Sequence, residues 1–185
     1  MEQQELKQDF DIRIKDNFFT PEEFKDISKK IVYRQYHDDH LQYRGKDKHH
    51  VWFTSNCEDE VRELLTKKVE KLFGVKIIRM GICQYSFVSK AIKTIHVHKD
   101  LSPECNFQTI IYVRGNPNIH SGTGFYVETE RETVKQELNT HIGFFPNRIV
   151  SWTSNVFHAP LSFAEGFDTR YSILTQYLIK EEENG

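Results

Sequence analysis

The stretch Phe107–Thr129, FQTIIYVRGNPNIHSGTGFYVET, decides the fold class. Phe107–Val113 and Gly124–Thr129 are short runs rich in β-branched and aromatic residues. Arg114-Gly115-Asn116-Pro117 and Ser121-Gly122-Thr123-Gly124 lie between them and supply turn chemistry. The same grammar recurs on both sides, in Val75–Phe87, Thr94–His98, Arg148–Thr153 and Arg170–Ile179. No helical run between these segments is long enough for a βαβ crossover. The pattern therefore predicts an antiparallel sandwich or barrel.

Upstream of Val75 the pattern is different. Phe10, Ile12 and Ile14 alternate with charged residues, as in a half-buried strand. Thr20-Pro21-Glu22-Glu23 carries a full set of helix-start signals, with Thr20 as cap, Pro21 at the first helical position and Glu23 closing a capping box. Phe24, Ile27 and Ile31 then form the apolar face. A short strand is expected over Val51–Thr54. A second helix is expected from about Glu58 to Phe73, with Val61, Leu64, Leu65, Val69 and Leu72 at helical spacing and Gly74 as its stop. The expected organisation is mostly β with α: one domain over 1–185, with a helix-containing support (1–74) packed on a jelly-roll core (75–180).

Composition supports a packed core and narrows the partners. Of 185 residues, 38% are hydrophobic and 13% aromatic, more than a disordered chain carries. No run approaches 18 apolar residues, so no membrane-spanning helix is expected. With 25 basic and 27 acidic residues the net charge is −2, and no basic footprint for nucleic acid stands out. Cys57, Cys83 and Cys105 are odd in number and show no paired spacing. They are expected as reduced thiols in a cytoplasmic protein.

The chemistry concentrates in two segments. In Thr94-Ile95-His96-Val97-His98-Lys99-Asp100, residues two apart on a strand share a face, so His98 and Asp100 can converge. A lone His158 follows the strand Arg148–Thr153. Two imidazoles and one carboxylate are the donor set of non-haem Fe(II) oxygenases, which leaves neighbouring positions open for a bidentate co-substrate and O2. Arg170 and Ser172 share a strand face in Thr169-Arg170-Tyr171-Ser172. A guanidinium fork with a hydroxyl at i+2 suits the distal carboxylate of 2-oxoglutarate.

These residues give the chain a resemblance to the Fe(II)/2-oxoglutarate-dependent dioxygenases of the double-stranded β-helix fold, and within them to the prolyl-hydroxylase-like branch with its small bacterial and phage members. The family's HxD…H…R order matches His98, Asp100, His158 and Arg170. Thr109-Ile110-Ile111-Tyr112 resembles the strand that supplies a tyrosine to 2-oxoglutarate, and Gly122–Tyr126 resembles the Gly-rich strand that follows it. Tyr85 is a further candidate for the tyrosine found upstream of HxD. Asp16–Phe24 is similar to the first helix of that branch. The resemblance covers residues 75–180 and, loosely, 10–35. It implies Fe(II) held by His98, Asp100 and His158. It also implies 2-oxoglutarate held by Arg170, Ser172 and Tyr112, and hydroxylation of a substrate C–H bond, with a prolyl or other protein side chain as first expectation and a small molecule as the alternative.

Other readings stand beside this one. His96-Val97-His98 also fits the HxH of a cupin-type metalloenzyme that does not use 2-oxoglutarate, although Glu104 is poorly placed to complete it. A catalytically silent or zinc-binding jelly-roll module would carry the same histidines. His37-Asp38-Asp39-His40 and His49-His50 read as a loop near the site rather than a second metal centre. With Tyr36, Tyr43, Arg44 and Trp52, that loop would be the place where substrate is chosen.

Overall fold

The capping signals at Thr20 are met in full. In the computed structural model, which describes residues 11–36, 52–88, 97–100, 104–129, 135–162 and 169–181, Thr20 precedes helix α1 (Pro21–Val32). Its hydroxyl accepts from the Glu23 N–H at 3.3 Å, and the Glu23 carboxylate accepts from the Thr20 N–H at 2.9 Å. Helix α2 (Asp59–Phe73) stops at Gly74, which takes a left-handed φ of 63° and donates its N–H to the Glu70 carbonyl. Ile27 and Ile31 from α1, and Val61, Leu65 and Val69 from α2, are buried, whereas Leu72 lies at the rim, 36% exposed.

Nine strands accompany the helices among the described residues: β1 (Arg13–Lys15), β2 (Trp52–Asn56), β3 (Val75–Val88), β4 (Phe107–Arg114), β5 (Asn118–Glu128), β6 (Gln136–Phe144), β7 (Arg148–Thr153), β8 (Phe157–Ser162) and β9 (Arg170–Glu181). They form a six-stranded sheet in the order β1-β7-β4-β9-β3-β2 and a three-stranded sheet in the order β6-β5-β8. Every pairing is antiparallel. His98 adds an antiparallel bridge to His158 at the outer edge of β8. The architecture is the expected β-rich jelly roll, and none of its described helices is long and apolar enough to cross a membrane.

The pleat sorts the large sheet into two faces. Phe107, Ile111 and Val113 of β4 join Ile149, Ile173, Tyr177 and the helical residues in one core. Their neighbours Ile110 and Tyr112 point the other way, into an interior shared with Val150, Trp152, Phe125, Ile142 and Phe144. The helices therefore cover one face of the six-stranded sheet, and the three-stranded sheet closes the other.

Four sequence expectations change. β1 is only three residues long, and Ile14 is 46% exposed, because this edge strand pairs with β7 alone. Ser121–Gly124, read as a turn, lies inside β5 and is buried. Gly122 is needed there because a Cβ would come within 1.9 Å of the Ile142 carbonyl oxygen. Strands β6 and β8 were not expected. Tyr36 packs edge-on against Phe87 at 4.8 Å and belongs to the helix-side core, not to a loop over the interior. His37–His50 and His96 lie outside the described residues, and so does most of Thr94–His98.

Candidate metal centre

The bridge between His98 and His158 builds the site. The His98 N–H donates to the His158 carbonyl at 3.1 Å, and the His158 N–H donates to the His98 carbonyl at 2.9 Å. This fixes the two backbones side by side, with ring centroids 4.6 Å apart. Asp100, two residues on, returns to the same face. His158 Nε2 lies 3.3 Å from Asp100 Oδ2, and His98 Nε2 lies 3.6 Å from Asp100 Oδ1. One ligand atom from each of the three residues lies within 4.8 Å of the others.

This arrangement fits a divalent ion. Ligands ~2.1 Å from a first-row metal sit about 3 Å from their neighbours, close to the 3.3 and 3.6 Å that separate the two imidazoles from Asp100. His158 Nδ1 contacts the Val156 carbonyl at 3.1 Å. A carbonyl can only accept, so Nδ1 carries a proton, and with a metal bound Nε2 would be the nitrogen that turns its lone pair to the ion. Burial pushes the Asp100 carboxyl up, but its hydrogen bond to His158 and the nearby His158 and His98 outweigh that and hold it below the usual carboxylate range. The Gln108 amide contributes to the same lowering. Gln108 is buried on the interior face of β4 and also donates to Ser154 Oγ at 3.4 Å. The turn that carries Ser154 carries Val156 too, so one short segment supports both the carboxylate and an imidazole.

The three residues assigned to a dicarboxylate share the interior. Arg170 opens β9 and is only 6% exposed, with Nη1 donating to Ser121 Oγ and to the Leu161 carbonyl, both at 3.0 Å. Burial pushes its pKa down to about 10, with Tyr112 opposing the shift. Tyr112 and Ser172 face each other across β4 and β9, and both are buried. Tyr112 Oη lies 2.8 Å from Thr123 Oγ1 and donates to the Ile142 carbonyl at 3.4 Å. Burial raises its pKa, so the phenol keeps its proton. Tyr85 does not join them. Its hydroxyl donates to Glu58 at 2.8 Å on the helix side of the sheet.

Strand β5 sets the spacing. Phe125 pairs with His158, Thr123 bonds Tyr112 and Ser121 bonds Arg170. These are alternate residues of one strand, and from first to last they span roughly 13 Å at 3.3 Å per residue. The imidazole and guanidinium both reach inward over that length. Ser121, Thr123, Gln108 and Trp152, whose ring stands 5.0 Å from that of His158, were not among the site residues expected from the sequence. The signal available for the first two was their alternation with Gly122 and Gly124.

Solved structures share this architecture. A 2OG-Fe(II) oxygenase family oxidoreductase from Burkholderia pseudomallei superposes with a TM-score of 0.60 at 13% identity, over 90% of this chain and 83% of that one. The chain has the double-stranded β-helix fold of the 2OG-Fe(II) oxygenases. The same fold is shared with the α-ketoglutarate-dependent epimerase SnoN from nogalamycin biosynthesis (TM-score 0.65, 11% identity, 90% and 77% of the two chains). A Pseudomonas putida prolyl-4-hydroxylase also shares it (TM-score 0.57, 10% identity, 91% and 93%). At these identities the likeness to the oxygenases is one of fold. No protein-family model and no curated protein matches the sequence.

Proposed function

We propose that the chain is an Fe(II)- and 2-oxoglutarate-dependent dioxygenase that hydroxylates a substrate C–H bond. The observation that carries this reading is the convergence of His98 Nε2, Asp100 and His158 Nε2 on one point inside an oxygenase fold. When bound together, Fe(II), 2-oxoglutarate and O2 supply oxidative decarboxylation coupled to C–H oxidation. The chain's share is orientation. The two imidazoles and the carboxylate hold the metal on one side. Arg170 grips the far carboxylate of 2-oxoglutarate, assisted by Ser172 and by the Tyr112 hydroxyl. Burial of this end keeps water away from the charge pair and strengthens it.

For substrate, a prolyl or other protein side chain is favoured. Two prolyl hydroxylases share the fold, and one of them, from Trichoplax adhaerens, was solved with a peptide fragment of a hypoxia-inducible factor. Adding Fe(II) and 2-oxoglutarate without O2 is expected to produce a visible charge-transfer band that is lost in His158→Ala. If intact protein never develops this absorbance, the oxygenase reading is wrong. In air, a panel of proline-containing peptides screened for succinate release and a mass gain of one oxygen tests the substrate class.

A further inference from the structure

Cys57 and Cys83 are 26 positions apart and carry no motif, yet the fold sets them side by side. Strand β2 pairs with β3 in the register Asn56 to Gln84, and the next step of that ladder is Cys57 to Cys83. The Cys57 N–H donates to the Cys83 carbonyl at 3.0 Å, which continues the pairing one residue past the end of β2. Residues opposed in this way have Cα atoms about 5.5 Å apart, at the centre of the range that a disulfide spans. The side chains complete the match, because both belong to the helix-side core and each sulfur is near enough to influence the ionisation of the other. Cys105, the third cysteine, is buried elsewhere, with its sulfur beside Gly81.

We propose that Cys57 and Cys83 form an oxidisable dithiol, a modification site that small hydroperoxides convert to a disulfide. Each feature of the pair suits a role in that chemistry. The Cys57 side chain is the main influence lowering the Cys83 pKa, burial opposes it and the Arg62 guanidinium adds to it, which favours Cys83 as the attacking sulfur. The neighbouring Cys83 and burial hold Cys57 in its protonated form. The Cys83 thiolate attacks one peroxide oxygen. The O–O bond breaks, hydroxide leaves and takes up a proton as water, and Cys83 becomes a sulfenic acid. The Cys57 sulfur then attacks the Cys83 sulfur, the S–OH bond breaks, and the departing hydroxide leaves as water with the Cys57 proton. Two thiols are thereby oxidised by two electrons in all, and one hydrogen peroxide is reduced to two waters.

Access follows from position. Cys57 and Cys83 are 8% and 1% exposed, so the folded core shields them from bulky reagents. But β2 is the outermost strand of its sheet, bonded on one side only, and Cys57 follows its last residue, two positions before α2. Opening at such an edge takes less free energy than global unfolding and admits a small oxidant. The product would staple the start of α2 to the middle of β3. This link involves none of the residues at the candidate metal centre.

The test uses the full chain, folded and free of metal, with dilute hydrogen peroxide as probe and catalase as quench. Intact mass is expected to fall by two hydrogens. The number of cysteines alkylated after unfolding should fall from three to one, and proteolysis should yield a Cys57–Cys83 linked peptide that dithiothreitol separates. Cys105→Ala should react as the native chain does, and Cys83→Ser should lose the mass change. Because the linked peptide is sought in the unaltered chain, a variant that fails to fold does not decide the outcome. The proposal is overturned if three cysteines stay alkylatable, if the link involves Cys105, or if Cys57 and Cys83 gain oxygen atoms without joining.

Discussion

Arg170→Met separates an arginine that holds the fold together from one held ready for a ligand. The guanidinium is 6% exposed, and its pKa is moved from 12.5 to about 10, chiefly by burial. At about 1.4 kcal/mol per pKa unit, keeping that cation in the folded protein costs about 3 kcal/mol. A cation with a lowered folded pKa destabilises the fold wherever both states are charged. The cost is therefore fully present at neutral pH and fades only as pH rises from about 10 toward 12.5. Two hydrogen bonds oppose it, to Ser121 and to the Leu161 carbonyl, worth roughly 1.5–3 kcal/mol each when the donor is charged. At the lower end of that range the terms cancel, and methionine keeps most of the apolar stem. The ligand-free variant should therefore stay within about 5 °C of the native thermal midpoint. Its response to 2-oxoglutarate should collapse, because truncating a buried charge pair costs about 3 kcal/mol, roughly a hundredfold in affinity. The assay is the thermal midpoint with saturating Mn(II), alone and over a 2-oxoglutarate titration. The reasoning fails if the ligand-free midpoint falls by about 10 °C or more. It also fails if the variant answers 2-oxoglutarate over the same concentrations as the native protein.

Three further substitutions probe the surroundings. Gln108→Leu removes an amide shared by Asp100 and Ser154, and is expected to weaken Mn(II) or Co(II) binding about tenfold in a calorimetric titration. An unchanged Kd would leave Gln108 with no part in orienting the carboxylate. Tyr112→Phe deletes the hydroxyl that meets Thr123 and should cost about 1 kcal/mol in urea unfolding. A matching drop in 2-oxoglutarate affinity is expected as well, and if stability alone moves, Tyr112 is only a tie between the sheets. Gly122→Ala drives a Cβ to 1.9 Å from the Ile142 carbonyl oxygen, a clash with backbone that should destabilise the chain by about 3 kcal/mol or more. A urea midpoint near native would mean that β5 and β6 can part there at little cost.

What could be read from sequence alone was what is local. The capping box at Thr20 involves four consecutive residues, and the HxD pair needs only the two-residue period of an extended chain. Strands β4, β7 and β9 stood out because both of their faces are largely buried, so Phe107–Val113, Arg148–Thr153 and Arg170–Ile179 are rich in β-branched and aromatic residues and carry few charges. β6 escaped because one face is solvated and its sequence, QELNTHIGF, carries polar residues over most of its length. β8 escaped because Pro160 argues against a strand. It is tolerated there because β8 is the edge of its sheet and pairs with a named strand on one side only. Cys57 and Cys83 were invisible as a pair for a different reason. Only the register between β2 and β3 makes them neighbours, and register depends on the whole sheet.

The misreading of Ser121–Gly124 is the most instructive, because one cause produced both the error and the site. Small residues with hydroxyls are the usual chemistry of turns. Here they are buried in the central strand of the three-stranded sheet, which leaves the interior free for longer side chains from the opposite sheet. Arg170 reaches Ser121 and Tyr112 reaches Thr123 across that interior, while His158 stands beside Phe125. Larger apolar residues at positions 121 and 123 would fill the volume that Arg170 and Tyr112 now enter and would leave their polar ends buried without these acceptors. The features that made this part of β5 read as a turn are therefore those that let the strand receive a buried guanidinium at one end of the interior and lie against His158 at the other.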